Sequence, residues 1–235
     1  MRIRPVLVLS IIVGLPGLLI GAAPLQPSDY KADYSAELTV GATCTIPLTQ
    51  IHPTQAVVGM QEVEHKEAKI KKLARPDLTV YMLDHVVPIV IGPEGIPYMT
   101  DRHHTNTALL KSGRSPFAYC KIIANWSDKK PAAFWEEMEA HHYVWLMDAQ
   151  GEPITPDQLP TSISGLTDDP WRAVVWKLEH DGVISKKPIY YYEFYWANLL
   201  EKKVDADPSA DFKGAIAASR EYIENHPGLT VGPAQ

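Results

Sequence analysis

The stretch PIVIGPEGIPYMTDRHHTNTALL, Pro88 to Leu110, sets the tightest limits on how this chain can fold. An apolar, β-branched run from Val86 to Ile91 meets the turn composition Gly92-Pro93-Glu94-Gly95 and then Ile96 to Thr100. Two short strands joined by a turn follow from that pattern. The chain then passes directly into Asp101, Arg102, His103 and His104. With Asp101 as N-cap, its carboxylate would take the amides of His103 or His104 and open a helix from Arg102 to about Lys111, ended by Gly113. Thr105, Ala108 and Leu109 would form the inward stripe, with His103 turned away from it and His104 on its edge. The amides and dipole at such a helix start favour an anion. Arg102 and protonated imidazoles would add to that preference. An ordinary capped helix with surface histidines accounts for the same residues equally well.

Around this segment the pattern is mixed. CTIPLTQIHPTQ reads as a short strand ending at Pro53, and a helix from Gln55 is expected to stop at Pro76. Leu78 to Leu83 reads as a strand, and so does FAYCKIIAN. Beyond residue 126 the text is mostly helical: PAAFWEEMEAH, then WRAVVWKLEHD behind an Asp169-Pro170 start, then IYYYEFYWANLLEKK, then a helix opened by Asp207-Pro208. Tyr191, Tyr195 and Leu199 share a face and read as core. His141-His142 reads as a helix end, and Glu193 as a solvated face or a partner for a cation.

The beginning of the chain suggests export. Arg2 and Arg4 precede an apolar run from Val6 to about Ile20 and the small residues Gly21, Ala22 and Ala23. That is a secretory signal over 1–23, with an uncleaved membrane anchor as the alternative. Residues 24–42 are polar and proline-containing and read as a linker. Loss of Arg2 and Arg4 takes the formal charge from −6 to −8, which gives no general attraction to nucleic acid. One basic run, HKEAKIKKLAR, holds Lys66, Lys69, Lys71, Lys72 and Arg75 and is either a solvated helix face or a local patch. Cys44 and Cys120 lack metal-ligand spacing. In an exported protein they could form a bridge, or remain two buried thiols.

LTQIHPTQAVVGMQEV, VPIVIGPEGIPYMTDRHHTNTAL, FWEEM, LTDDPWRAVVWKL and YYEFYWANLL together resemble the stand-alone ParB-like proteins of the ParB/sulfiredoxin superfamily, a group described as nucleases. The likeness runs from about Ile46 to Leu200. It implies an α+β fold: a small mixed sheet with helices over 43–126, followed by a helical extension over 127–235 packed on that core. Pro53-Thr54-Gln55 and Gly59 match the first box of the family, Asp101, His103 and His104 the second, and Asp169, Pro170 and Arg172 the third. Trp171 stands where tyrosine is more usual, and Arg102 where histidine or glycine is. Thr105 and Thr107 depart from the bulkier or basic residues usual after the histidines.

The resemblance implies phosphate at the start of the histidine helix. It makes Asp101, His103 and His104 the catalytic candidates, with either histidine as general acid or base and Asp101 fixing its tautomer. Gln55, Lys66, Lys69, Arg102, Thr105, Asn106 and Arg172 are the candidate ligand-binding residues. Gln55 occupies the place of a catalytic glutamate in related serine kinases, and an amide cannot act as a base. DRHHTN also lacks the nucleophilic cysteine of a sulfiredoxin. Phosphodiester hydrolysis therefore fits best, with a non-catalytic anion- or partner-binding module second and a nucleotide-dependent phosphotransferase third. The expected ligand is a phosphate-containing small molecule or short nucleic acid. No cofactor is expected, and no metal site, because adjacent helical side chains diverge by about 100°. The expected location is periplasmic or secreted, without stable membrane association once the signal is cleaved.

Overall fold

The computed structural model describes residues 26–30 and 32–232. The expected signal over 1–23 lies outside them. The main sheet has six strands: β1 (Ala32–Asp33), β2 (Thr43–Pro47), β3 (His52–Pro53), β5 (Val87–Ile91), β6 (Pro97–Met99) and β7 (Phe117–Asn125), in the order β1-β2-β7-β5-β6-β3. It is mixed, with β7 antiparallel to β2 and parallel to β5. Part of the 24–42 segment joins it, because β1 pairs with β2 and the buried Tyr30 packs its ring 4.6 Å from that of Tyr119. Cys44 and Cys120 face each other across the β2–β7 ladder and are joined by a disulfide.

Helices α1 (Met60–Lys72), α2 (Arg75–Leu83) and α3 (His103–Ser112) bury one face of this sheet. Ile70, Met82 and Leu109 there meet Ile89, Ile91 and Ile122 from the strands. On the other side Phe134 and Met138 of α4 (Pro131–Ala140) pack with Val90 and Ala124. Helices α5 (Pro170–His180), α6 (Tyr192–Lys203) and α7 (Phe212–Glu224) build a further core from Trp171, Val174, Leu178, Trp196 and Leu200. The fold is thus the expected α+β sheet with a C-terminal helical part. Among the described residues no helix is long and apolar enough to cross a membrane.

Three local expectations are corrected. Leu78 to Leu83 is helical, not extended, and Pro76 opens that helix in its first turn instead of ending the one before. A short apolar run cannot by itself distinguish a strand from a buried helix, and proline suits a helix start. Gln55 lies outside α1, which begins only at Met60, after the short strand β4 (Val57–Val58). The last helix starts behind Asp211, whose carboxylate accepts the amide of Gly214, so Asp207-Pro208 belongs to the preceding turn.

Candidate functional site

Two helix starts are brought together by a ladder of two rungs. β4 pairs in parallel with β8 (Thr167–Asp168), α1 leaves the end of the first strand, and α5 leaves the end of the second. Each helix is capped by an acid of this junction. Asp168 Oδ1 accepts the amide of Met60 at 2.8 Å, and Asp169 Oδ1 accepts that of Arg172 at 3.1 Å. Gly59 sits where the helices touch. A Cβ there would lie 2.6 Å from the backbone nitrogen of Ala173, so any larger residue would push the helices apart.

The start of α3 closes the third side, and here the expected cap is overturned. Asp101 is exposed, and its Oδ1 accepts only the amide of its neighbour Arg102 at 2.7 Å. Arg102 takes the N-cap position in a left-handed conformation (φ 72°), and no side chain caps the helix. Asp101 therefore cannot orient either imidazole.

Backbone amides orient them instead. The N–H of Thr54 donates to His103 Nε2 at 3.2 Å, and the N–H of Gly59 donates to His104 Nε2 at 3.0 Å. A nitrogen that accepts a hydrogen bond carries no proton, so each ring is neutral with its proton on Nδ1. Burial, reinforced by the charge of Arg172, brings His103 down to about 3. The same causes hold His104 well below the ordinary histidine range. Protonated imidazoles at the helix start are thus excluded. His103 is also buried, not turned outward, because the Thr54 loop covers the first turn of α3 from the side opposite its inward stripe.

These elements enclose a cleft of about 350 Å³. Arg172 is only 4% exposed. Its Nη2 donates to Glu193 Oε2 at 2.8 Å, and its guanidinium lies 3.7 Å from the ring centre of Phe194. Its Nε and Nη1 are buried with no hydrogen-bond partner. Two empty donors on a buried cation are costly unless something fills them. Glu193 also accepts from Lys186 at 2.7 Å. Burial opposes its ionisation, but Arg172 and Lys186 outweigh that and hold it at about 2. On α1, Glu62 Oε2 lies 3.4 Å from His104 Nε2, and Lys66 approaches Glu62 at 3.3 Å. Burial raises the Glu62 carboxyl above its usual range, Lys66 notwithstanding.

The remaining wall is aromatic and comes from the loop His142–Trp145 and the segment Tyr190–Phe194. His142 (φ 56°) and Tyr191 (φ 60°) are both left-handed, as Arg102 is, so three of the four described non-glycine residues with positive φ line this cleft. Backbone held in so unfavourable a region tends to gather at functional sites.

Of the residues selected from sequence, Asp101, His103, His104, Gln55, Lys66, Arg102, Thr105 and Arg172 all line the cleft. Lys69 instead lies over the ring of Tyr81 at 5.2 Å, and Asn106 turns its side chain back to the carbonyl of Arg102 at 2.9 Å. The basic run around Lys69 is largely engaged locally. Lys71 pairs with Glu67, and the C-terminal carbonyls of α1 are held by Arg114. Glu62, Lys186, Trp145 and Tyr190 were not foreseen. Glu62 had a signal, three positions after Gly59 and four before Lys66. Lys186 had none, since a loop brings it in, and Tyr190 was read as part of the aromatic helix, which begins only at Tyr192. Among the described residues no group of three or more His, Cys, Asp or Glu is arranged to hold a metal ion.

Comparison with known proteins bears on the family and the fold. A family model described as "Putative ParB-like nuclease" matches residues 44–202. The crystal structure of protein Atu1540 from Agrobacterium tumefaciens is similar, with a TM-score of 0.71 and 29% sequence identity, over 80% of this chain and 96% of that one. None of the curated proteins matches.

Proposed function

The chain belongs to the family described as "Putative ParB-like nuclease", and we propose that it is an exported member that binds a phosphate ester where α3 begins and cleaves a phosphodiester there. One observation carries this reading: Arg172 lines the cleft, and two of its guanidinium nitrogens, Nε and Nη1, are buried without a hydrogen-bond partner. A phosphate oxygen suits such donors, since the guanidinium fork matches phosphate geometry. The uncapped first turn of α3 and the nearby Arg102 and Lys66 add to the attraction. Export is supported by the composition of residues 1–23 and by the disulfide. A small phosphate ester or a short nucleic acid suits a cleft of this size in an acidic protein.

In this reading His103 and His104 are positioning residues that fix the loop from Thr54 to Gly59. The proton acceptor is Glu62, a buried carboxylate whose basicity is raised. Water attacks phosphorus and gives its proton to Glu62. The bond to the leaving oxygen breaks, and that oxygen takes a proton from solvent. Arg172 offsets the charge that develops on the phosphoryl oxygens.

The second reading, binding without hydrolysis, is favoured by one observation: both imidazoles are already committed to backbone amides. Hydrolysis of bis(p-nitrophenyl) phosphate and of a short single strand, followed beside the melting shift with inorganic phosphate, separates the two. Cleavage that falls about 100-fold or more in Glu62→Gln supports the enzyme. A phosphate shift that depends on Arg172, without cleavage, supports the binding module. No shift and no cleavage would refute both.

A further inference from the structure

We propose that the outer part of the cleft is a subsite for a planar aromatic ring carried by the phosphate ester, with Tyr190 and His142 as its stacking surface. This rests on the phosphate reading above and adds the class of ligand.

The aromatic wall is a series of rings in contact, leading from the anion site to solvent. The guanidinium of Arg172 lies on Phe194 at 3.7 Å. Phe194 stacks on Trp145 at 4.7 Å, and Trp145 meets Tyr191 at 4.7 Å. Tyr191 meets His142 edge-on at 6.0 Å, and His142 stacks on Tyr190 at 4.3 Å with 26° between the planes. The inner rings are held firmly, and the hydroxyl of Tyr191 donates to the carbonyl of Val144 at 2.6 Å. The outermost ring is the most open: Tyr190, though stacked on His142, is 64% exposed, beside Ile189 at 38%. These are two of only four large apolar side chains so exposed among the described residues, and both line this cleft.

The Tyr190 ring is stacked on a strained histidine (φ 56°) and remains 64% exposed at the mouth of the cleft. Its chemistry suits another flat ring. Stacking of a base on an aromatic side chain is worth about 1–3 kcal/mol, which corresponds to roughly 5- to 150-fold in affinity. Two sources share this chemistry, a nucleotide (free or at the end of a single strand) and a simple aryl phosphate.

Titration calorimetry on the whole protein with ribose 5-phosphate, phenyl phosphate, adenosine 5′-monophosphate and adenosine tests the subsite. The ring-bearing esters should bind at least about 5-fold more tightly than ribose 5-phosphate. Tyr190→Ala should erase that advantage and leave ribose 5-phosphate binding unchanged, while Tyr190→Phe should keep it. Tighter binding of the adenosine ester than of phenyl phosphate marks a nucleotide subsite, and equal binding marks a general aryl one. The subsite is refuted if ribose 5-phosphate binds as well as the ring-bearing esters, or if Tyr190→Ala weakens every ester equally. If adenosine alone binds, and does so through Tyr190, the ring subsite stands and the phosphate reading falls. If no probe binds, both fall.

Discussion

The amide of Gly59 donates to Nε2 of His104 over 3.0 Å, and this bond ties the first turn of α3 to the junction from which α1 and α5 depart. Removing the acceptor strands a partly buried N–H, at a cost of about 1–3 kcal/mol. His104→Ala should therefore lower the free energy of urea unfolding by that amount. His104→Gln, whose amide oxygen can still accept, should recover part of it. Equal loss in both variants would mean that the imidazole acts through packing alone.

Gly59 itself should tolerate no side chain. A methyl group there would meet the α5 backbone at 2.6 Å, and backbone cannot rotate away as a side-chain end can. Gly59→Ala is expected to destabilise by about 1–3 kcal/mol, as overpacking does, and to weaken phosphate binding by spreading the cleft. Unfolding and a phosphate melting shift measure the two effects. Stability within about 0.5 kcal/mol of the parent would refute the close contact.

The neutral His103 should leave a mark on acid stability. The unfolded chain takes up this proton near 6.5, whereas the folded chain takes it only near 3. The stability it contributes is complete above about 6.5 and is lost as the pH falls from there toward 3, at up to about 1.4 kcal/mol per pH unit. The carboxyls of Asp169 and Glu179, raised by burial to about 6 and about 7, act in the opposite sense and lose stability as the pH rises through those values. Comparison with His103→Asn isolates the imidazole. Chemical denaturation at pH 7, 5.5 and 4 should show a shallower fall for the variant, and parallel curves would overturn the assignment.

Arg172 and Glu193 should differ when each is removed singly. Glu193→Gln leaves a buried guanidinium without its counter-charge, a change that costs about 3–5 kcal/mol in buried pairs. Arg172→Met leaves Glu193 still paired with Lys186 and also removes the two unfilled donors. Arg172→Met is therefore expected to be the more stable variant, yet to have lost its response to phosphate. The reverse order of melting temperatures would show that the guanidinium serves mainly the fold.

The bridge between Cys44 and Cys120 closes a sequence separation of 76 residues. Replacing both by alanine should cost roughly 4 kcal/mol. A double variant as stable as the parent under non-reducing conditions would indicate that the sheet alone fixes that register.

The sequence was most informative where local chemistry decides structure. The β5–β6 hairpin, the helix behind Asp169-Pro170 and the αL end at Gly113 follow from turn residues and caps that act within a few positions. It was least informative where a distant partner decides. His103 was expected to be exposed, because helical periodicity cannot show that Thr54, 49 residues earlier, covers that face. Asp101 looked like a cap, but the left-handed Arg102 places it outside the helix. The site residue Lys186 sits in a segment without period, and Tyr190, read as part of the aromatic helix, lies in the turn before α6, which begins only at Tyr192; both line the cleft beside α5 and α6.

The paired departure of α1 and α5 has a consequence for biogenesis. The floor of the cleft comes from residues 54 to 105, while Arg172 and Glu193 arrive from much later in the chain. During synthesis the floor thus emerges long before the cation that gives it an affinity. A nascent chain therefore lacks the buried Arg172–Glu193 pair of the cleft until the segment carrying both has emerged, and the site is assembled only after that.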